Sequence, residues 1–280
     1  HVVSVVQQVL FKSDKYLQNG RGMLFALACI LIFYALLCLS SEGVSVGKTD
    51  RGRRVVGIAS IIALGAHIAF GKYGLFSIYE FYAVAILIMS ISFVFSSSFI
   101  KIPRKSQKLL FLLLLLGIII PPYAYSTLST PGAARNIYQQ QYQMHRFATD
   151  FFPYTVAVND LGLVAYRNEN FVLDLWGLGS EDARRLTASN GRTAESLNHL
   201  VKKYEAVFAM IYDEWFKNAL PERWCRIAEL KTSQVSAASG KVAFYLIDQS
   251  KSEEMILALS TFGGQLPVGS SLVVFGCDAD

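Results

Sequence analysis

The chain has 280 residues, of which 53% are hydrophobic and 17% are charged. This apolar content excludes an intrinsically disordered chain, and four cysteines in 280 residues exclude a disulfide-dense mini-scaffold. The charge is uneven, because residues 1–130 hold 12 Lys and Arg against 4 Asp and Glu, whereas residues 131–280 hold 14 against 17. The basic residues lie between long apolar runs, a pattern of membrane topology that predicts no nucleic-acid partner.

Four apolar runs in the first half predict four transmembrane helices. A helix needs about 20 apolar residues to cross a bilayer core, with a range of about 17–25. The fourth run is the shortest, and Tyr123 and Tyr125 extend it as an interfacial aromatic belt. A buried helix of a soluble core is the alternative for that run. The runs are Met23–Leu39, Val55–Gly71, Phe81–Ile100 and Leu109–Ile120, which predict spans of about 23–41, 55–71, 81–100 and 109–125.

Basic residues between the runs orient these spans. Four basic residues lie between the first two runs, one between the second and third, and four between the third and fourth. The positive-inside rule then makes the two richer loops cytoplasmic and everything after Ile120 extracytoplasmic. We expect a multi-pass protein of a bacterial inner (plasma) membrane, with a membrane domain over residues 23–127.

Residues 1–22 are expected to be the end of a preceding segment or an interfacial helix. On this interpretation the sequence is the C-terminal part of a longer polytopic membrane protein. A processed or tagged chain is the alternative.

From Pro131 the sequence alternates short apolar strands with amphipathic helices. This alternation predicts an extracytoplasmic α/β domain over residues 131–280 with a mostly parallel sheet. The predicted strands are Tyr154–Val158, Phe171–Trp176, Ala206–Tyr212, Cys225–Leu230, Val242–Ile247 and Ser271–Phe275. The predicted helices are Ala134–Phe147, Asp160–Tyr166, Glu181–Leu186, Ala194–Lys203 and a helix near Ser252–Leu259.

Small polar residues at strand ends are the first candidate site. Asn159 and Asp160 follow the first predicted strand, and ligands of open α/β sheets collect outside the carboxyl ends of strands. These two side chains could accept hydrogen bonds from sugar hydroxyls, or Asp160 could only cap a helix N-terminus. Asp174 lies within an apolar strand, where a carboxylate must be paired or face a cleft. Its alternatives are a structural pair with Arg146 or Arg167 and a ligand contact.

Polar residues near the predicted membrane surface are the second candidate set. His67, Tyr79 and Glu80 flank the short turn at Lys72, where they could line a site for a polar headgroup or remain interfacial residues. Arg146 follows the last span and could bind a lipid phosphate or form a surface salt bridge.

The cysteines and histidines predict no metal site. The four His and four Cys show no zinc-binding spacing. The sequence also has no Walker loop, GxSxG or HExxH motif, so we assign no cofactor with certainty. Cys225 and Cys277 could form a disulfide in an oxidising compartment if their strands are neighbours.

Residues 134–144, 156–166 and 172–178 together resemble the C-terminal region of bacterial polytopic glycosyltransferases of the GT-C fold, similar to protein mannosyltransferases and arabinofuranosyltransferases. His67 with Tyr79 and Glu80 is similar to the outer-loop pattern of that family. There an Arg often precedes the Tyr-Glu pair, and Ile78 stands in that place here.

This resemblance implies transfer of a sugar from a polyprenyl-phosphate-linked donor to a glycan or protein acceptor on the extracytoplasmic face, in contact with membrane lipid. Such enzymes carry their catalytic Asp in the first extracytoplasmic loop near the N-terminus, so we assign no catalytic residue. The alternative is a non-enzymatic, membrane-anchored module that binds a glycan or a protein. A transporter is a third hypothesis, which the scarcity of polar residues within the spans disfavours.

Overall fold

A computed structural model describes Cys29 and residues 48–71, 81–101, 105–189 and 191–277. The chain divides into two compact units, His1–Thr130 and Pro131–Asp280. The first contains helices α1 (Lys48–Phe70) and α2 (Phe81–Lys101) and most of α3 (Lys105–Gln139).

Helices α1 and α2 share a small apolar core. Leu64, Val84 and Leu87 are buried in it, and the Ser60 and Ser90 hydroxyls hydrogen-bond each other at 2.6 Å. Large apolar side chains also cover the outward faces of these helices, among them Ile62 and Met89, which are more than half exposed. A helix that is apolar on several faces is typical of a protein core or a membrane.

The prediction of four transmembrane helices is wrong. Among the described residues, one helix, Arg51–Phe70, is long and apolar enough to cross a membrane. The apolar part of α2 extends only over Phe81–Phe93, and the fourth run is a short apolar stretch of α3 that is followed by Ser and Thr residues. The first run, apart from Cys29, lies outside the described residues.

The second unit is built on a six-stranded mixed sheet. Its strand order is β2-β1-β3-β5-β4-β6. β1 pairs in parallel with β2 and β3, whereas the pairs β3–β5, β5–β4 and β4–β6 are antiparallel. The strands are β1 (Val156–Val158), β2 (Val172–Asp174), β3 (Phe208–Ile211), β4 (Cys225–Thr232), β5 (Lys241–Leu246) and β6 (Ser270–Val274).

The prediction of a mostly parallel sheet is therefore wrong as well. Parallel neighbours need a crossover of about a dozen residues or more, usually a helix. Residues 233–240, which join β4 to β5, are too few for a crossover, so these strands form a hairpin. Only the β1, β2 and β3 group has the parallel pairing that the alternating pattern predicted.

Helices cover both faces of the sheet. Alternate residues of a strand point to opposite faces, so Val156 and Val158 enter one core and Ala157 enters the other. α4, the π-helical turn and α7 cover the first face, and α5 and α6 cover the second. The elements are α4 (Gln141–Arg146), the π-helical turn (Phe147–Phe151), α5 (Glu181–Ala188), α6 (Ala194–Lys203) and α7 (Ser252–Gly263).

Phenylalanines dominate the first core. The Phe147 ring lies 5.1 to 5.7 Å from the rings of Phe208, Phe244 and Phe262, all in edge-to-face contact. All four side chains are fully buried, and burial of each contributes about 1.5–3 kcal/mol. This core fixes α4 and α7 on the sheet.

The amide-rich end of α3 is buried because its side chains hydrogen-bond the loops around it. Asn136 Oδ1 accepts three N–H groups from residues 235–237 at 2.9 to 3.1 Å, and its Nδ2 donates to the Ser233 carbonyl. Gln139 Nε2 donates to the Val268 carbonyl at 2.8 Å. Gly269 follows with φ +91, and a Cβ there would collide with the Gln139 amide. These amides therefore hold two loops to the helix.

A disulfide joins Cys225 at the start of β4 to Cys277 just after β6. The Cα atoms are 5.7 Å apart. Because β4 and β6 are hydrogen-bonded neighbours, this disulfide adds a covalent link between the edge strand β6 and the strand beside it.

Candidate functional site

The carboxyl ends of the three parallel strands meet at one edge of the sheet. Asn159 follows β1, Trp176 lies just beyond β2, and Tyr212 follows β3. We call the group around these ends the carboxyl-edge site. It comprises Gln141, Asn159, Asp160, Trp176, Arg192, Tyr212 and Trp215.

Asn159 joins two strands and keeps one unused donor. The residue is only 2% exposed, and its Oδ1 accepts the Tyr212 backbone N–H at 2.8 Å. Its Nδ2 is buried and has no hydrogen-bond partner within the described part of the chain. A buried donor without a partner costs about 1–3 kcal/mol, which a ligand acceptor or a water would recover.

The alternative in which Asp160 caps a helix N-terminus is wrong. Residues 162–167 form turns and not a helix. The carboxylate instead accepts a hydrogen bond from Gln141 Nε2 at 3.1 Å and lies 3.1 Å from the Tyr212 hydroxyl. Asp160 is therefore half-buried within a hydrogen-bond network at the strand end.

Tyr212 is the centre of this network. Its hydroxyl lies 2.8 Å from Gln140 Oε1, in addition to its contact with Asp160. Burial is the largest cause that raises the pKa of Tyr212, and the adjacent Asp160 charge is the next largest. The phenol therefore remains a neutral donor at physiological pH. In the same network, Gln141 Oε1 is buried and accepts no hydrogen bond from the described residues, so an unused acceptor accompanies the unused donor of Asn159.

Asp174 organises the turn after β2. Its buried carboxylate accepts the backbone N–H groups of Trp176, Gly177 and Gly179 at 2.6 to 3.1 Å. Neither Arg146 nor Arg167 pairs with it. Gly177 has φ +99, and a Cβ there would lie 2.6 Å from Arg184 Cα, so only glycine fits this turn. Asp174 thus positions Trp176, and both of its oxygens accept hydrogen bonds within the turn.

Two tryptophans and an arginine form the outer part of the carboxyl-edge site. The Trp176 and Trp215 rings lie 4.4 Å apart, and Tyr212 contacts Trp215 at 5.4 Å. The Arg192 guanidinium lies 4.5 Å from the Trp176 ring centroid. Burial lowers the pKa of Arg192 and the nearby Asp174 opposes that shift, so Arg192 remains a cation. All three outer side chains are half-exposed.

Sequence reasoning missed the aromatic residues of this site. Trp176 and Trp215 follow the ends of β2 and β3, and an aromatic residue just beyond a strand end was the available signal. Gln141 and Arg192 carry no such signal, because neither lies near a strand in the sequence.

The other predicted site residues lie elsewhere. His67 is buried in α1, and its Nδ1 lies 2.5 Å from the Tyr82 hydroxyl. Tyr79 and Glu80 lie outside the described residues. Arg146 donates to Gln143 Oε1 at 2.9 Å and to Gln265 Oε1 at 3.2 Å, so its guanidinium is largely engaged by the protein.

The described His, Cys, Asp and Glu side chains form no group of three that could hold a metal ion. The carboxyl-edge site is therefore a set of two amides, one engaged carboxylate, one cation and three aromatic rings in tilted or edge-to-face contact.

Residues 135–245 match a family model. It is described as a domain of unknown function (DUF8728). The match includes the whole carboxyl-edge site and strands β1 to β4. Comparison with curated proteins and with solved structures gives no match.

Proposed function

We propose that residues 131–277 form a glycan-binding domain of a membrane-attached protein. The observation that carries this proposal is the carboxyl-edge site, where a half-exposed tryptophan pair contacts the Tyr212 ring, and the hydrogen-bond network of Tyr212 includes residues with an unused buried donor and an unused buried acceptor. A tryptophan face offers a large apolar contact for the C–H face of a sugar ring. A sugar hydroxyl both donates and accepts, which matches Asn159 Nδ2 and Gln141 Oε1.

The carboxylates of the site favour binding over catalysis by this domain. Asp174 accepts three backbone N–H groups, and Asp160 is engaged by Gln141 and Tyr212. Asp213, next along the edge, is held by Arg226 and by the Tyr245 hydroxyl. A general base must reach the proton that it removes. The carboxylates of these three residues instead form hydrogen bonds within the protein.

Binding of short oligosaccharides to the full chain tests the proposal. We suggest α-mannose-terminated and arabinofuranose-terminated oligosaccharides as probes, with tryptophan fluorescence and calorimetry of the detergent-solubilised protein. Trp176→Ala should weaken binding about tenfold, because a stacked aromatic contact contributes about 0.5–1.5 kcal/mol beyond its buried area.

The matched control is Phe275→Ala, which removes an exposed aromatic ring just after the edge strand β6. If neither probe binds, or if both alanine variants weaken binding equally, the carboxyl-edge site is not a glycan site.

The proposed location is extracytoplasmic, with attachment through the Arg51–Phe70 helix. Its length and apolar composition support attachment, and the Cys225–Cys277 disulfide fits an oxidising compartment. In intact cells, a cysteine introduced at the exposed Ser250, with Cys29→Ser and Cys38→Ser, should react with a non-permeant thiol reagent. Reaction only after lysis would place this domain in the cytoplasm.

Sugar transfer from a polyprenyl-phosphate-linked donor is the second candidate function. The favouring observation is that two segments carrying the GT-C resemblance, 156–166 and 172–178, supply β1, β2 and the loops at the carboxyl-edge site. On this proposal the site holds the acceptor glycan. Membranes containing the product of the full open reading frame should transfer sugar, and Trp176→Ala should raise the KM for the acceptor more than it lowers kcat.

A further inference from the structure

Strand β6 forms an open edge of the sheet. Within the described part of the chain it pairs only with β4, so one side of its backbone has no strand beside it. The Phe275 N–H donates to the Ile227 carbonyl at 2.9 Å, and hydrogen-bonded positions alternate along an antiparallel strand. The N–H and C=O groups of Leu272 and Val274 therefore point away from β4, toward the open side.

The usual protections of an edge strand are missing from β6. Natural edge strands are kept very short, or they carry Lys, Pro or a bulge that prevents pairing with another chain. The opposite edge strand, β2, has only three residues. In contrast, β6 has five residues and pairs with β4 in one unbroken register. No charged residue lies between Glu254 and Asp278, so the whole edge is uncharged.

The open edge also exposes apolar side chains and is held in place. Val273, Val274 and Phe275 are 36%, 42% and 52% exposed. At the start of β6, Ser270 Oγ donates to the Gln139 carbonyl at 3.1 Å, and the disulfide fixes the chain just after its end. A strand that is already fixed loses little conformational entropy when another strand pairs with it.

We propose that β6 pairs with β6 of a second copy of this chain, in antiparallel orientation about a two-fold axis at Leu272. Leu272 is the centre of Ser270–Val274, so this register overlaps the whole strand. The extended backbone ends soon afterwards at Gly276, which has φ +84. Each Leu272 N–H donates to the Leu272 carbonyl of the other copy, and each Val274 N–H donates to the Ser270 carbonyl.

The charges on β4 favour a second copy as the occupant of this edge. Lys231 lies opposite Ser271, and Glu229 lies opposite Val273. The two-fold register sets Ser271 of one copy against Val273 of the other. Each row across the two copies therefore runs from Lys231 of one to Glu229 of the other, so opposite charges share the row. A two-fold axis at Val273 would instead put both Glu229 side chains in one row.

A cysteine cross-link tests this register. Two differently tagged full chains carry Ser271→Cys and Val273→Cys, each with Cys29→Ser and Cys38→Ser. The two introduced positions lie opposite each other as a non-hydrogen-bonded pair, with Cα atoms about 4.5 Å apart, within reach of a disulfide. Under mild oxidation in detergent, the mixed chains should form at least tenfold more linked dimer than either variant alone. No cross-link on mixing, or equal cross-linking of Val273→Cys alone, would overturn the proposal.

Association should also depend on a residue of the open edge. Sedimentation of the detergent-solubilised full chain over a range of concentrations should show a monomer–dimer equilibrium. Val274→Lys puts a charge from each copy at the pairing edge, as natural edge strands do, and should raise the dimer dissociation constant at least tenfold. The matched control is Val235→Lys in the loop between β4 and β5, where the valine is 47% exposed against 42% for Val274. It should leave the dissociation constant unchanged.

Three further results separate the outcomes. Equal melting temperatures of the two lysine variants at concentrations where both are monomeric would show that any difference in association is not a folding defect. A chain that is monomeric at every concentration would overturn the proposal, even if an extended peptide bound at β6. A dimer that is equally tight in both lysine variants would overturn it as well. The pairing does not involve the carboxyl-edge site, so failure of glycan binding has no bearing on it.

Discussion

Asn136 and Asp174 are buried polar residues that each accept three backbone N–H groups. Buried polar groups are tolerated when their hydrogen bonds are made, and both oxygens of Asp174 are used. Asn159 differs, because its Oδ1 is used while its Nδ2 is not. This contrast separates residues that hold loops from one that can contact a ligand.

Replacement of Asp174 tests the first of these roles. Asp174→Asn puts an N–H₂ group where the carboxylate accepts N–H donors, so at least one hydrogen bond to a charged group is lost. We expect the free energy of unfolding to fall by about 2–3 kcal/mol, measured by denaturant titration of the full chain. The control is Asp150→Asn, whose carboxylate is exposed. Equal stability of the two variants would contradict the structural role of Asp174.

The sequence placed Asn159 and Asp160 at a strand end but could not identify their partners. An apolar strand followed by small polar residues is a local pattern, visible in a few consecutive positions. Gln141 and Tyr212, which bind Asp160, lie 19 and 52 residues away in the chain. Only the packing of α4 and β3 against β1 brings these side chains together.

Among the elements, α5 and α6 were the most predictable, because their N-terminal signals are written in adjacent residues. Ser180 accepts the Ala183 N–H, and Thr193 forms a capping box with Ser196. The predicted helix at 160–166 is wrong because the Asp160 carboxylate is engaged across the sheet edge and not with the following backbone. A polar residue before an apolar stretch therefore predicts a helix only where its side chain is available.

The first turn of α5 carries a pH-dependent contact. Hydrogen bonds from Arg184 and then Arg185 lower the pKa of Glu181 to about 2, from a usual value of 4.5. Because the folded-state pKa is the lower one, this contact stabilises the fold above about pH 4.5, and the stabilisation is lost as the pH falls toward 2. Glu181→Gln should remove this part of the pH dependence.

Melting temperatures of the full chain between pH 2 and pH 7 measure the effect, and carboxyl NMR titration locates it. Glu195→Gln, in the first turn of α6, is the control, because no ion pair involves Glu195 in the described part of the chain. A melting profile for Glu181→Gln that matches the unmodified chain at every pH would refute the assignment.

At the scale of the whole molecule, the parallel half of the second unit was predictable and the antiparallel half was not. β1, β2 and β3 are separated by long connections, and α5 and α6 lie between β2 and β3, so the alternating pattern applies there. β4 and β5 are joined without a helix, and β5 connects to β6 through α7 while β4 lies between them. Apolar runs show where strands lie but not which strand each one pairs with. In the first unit, the apolar runs likewise predicted more spanning helices than the described residues contain.

The disulfide is the one covalent link between distant parts of this unit. Cys225 and Cys277 are 52 residues apart in the chain. A link over this separation restricts the unfolded chain, so Cys225→Ser together with Cys277→Ser should lower the free energy of unfolding by about 2–4 kcal/mol. Chemical denaturation under oxidising conditions measures this difference. Cys29→Ser, which removes a free thiol, is the control and should leave stability nearly unchanged.

The direction change within the sheet has a consequence for the order of folding. β3 pairs with β1 on one side and with β5 on the other. The pairing of β3 with β5 therefore cannot form until β5, more than 30 residues later in the chain, has been synthesised. The β4–β5 hairpin is local and closes quickly, whereas the β1–β3 pairing must first close a loop of about 50 residues. Nucleation is therefore expected at the hairpin, and the parallel strands should be recruited onto it only after the ribosome has released nearly the whole domain.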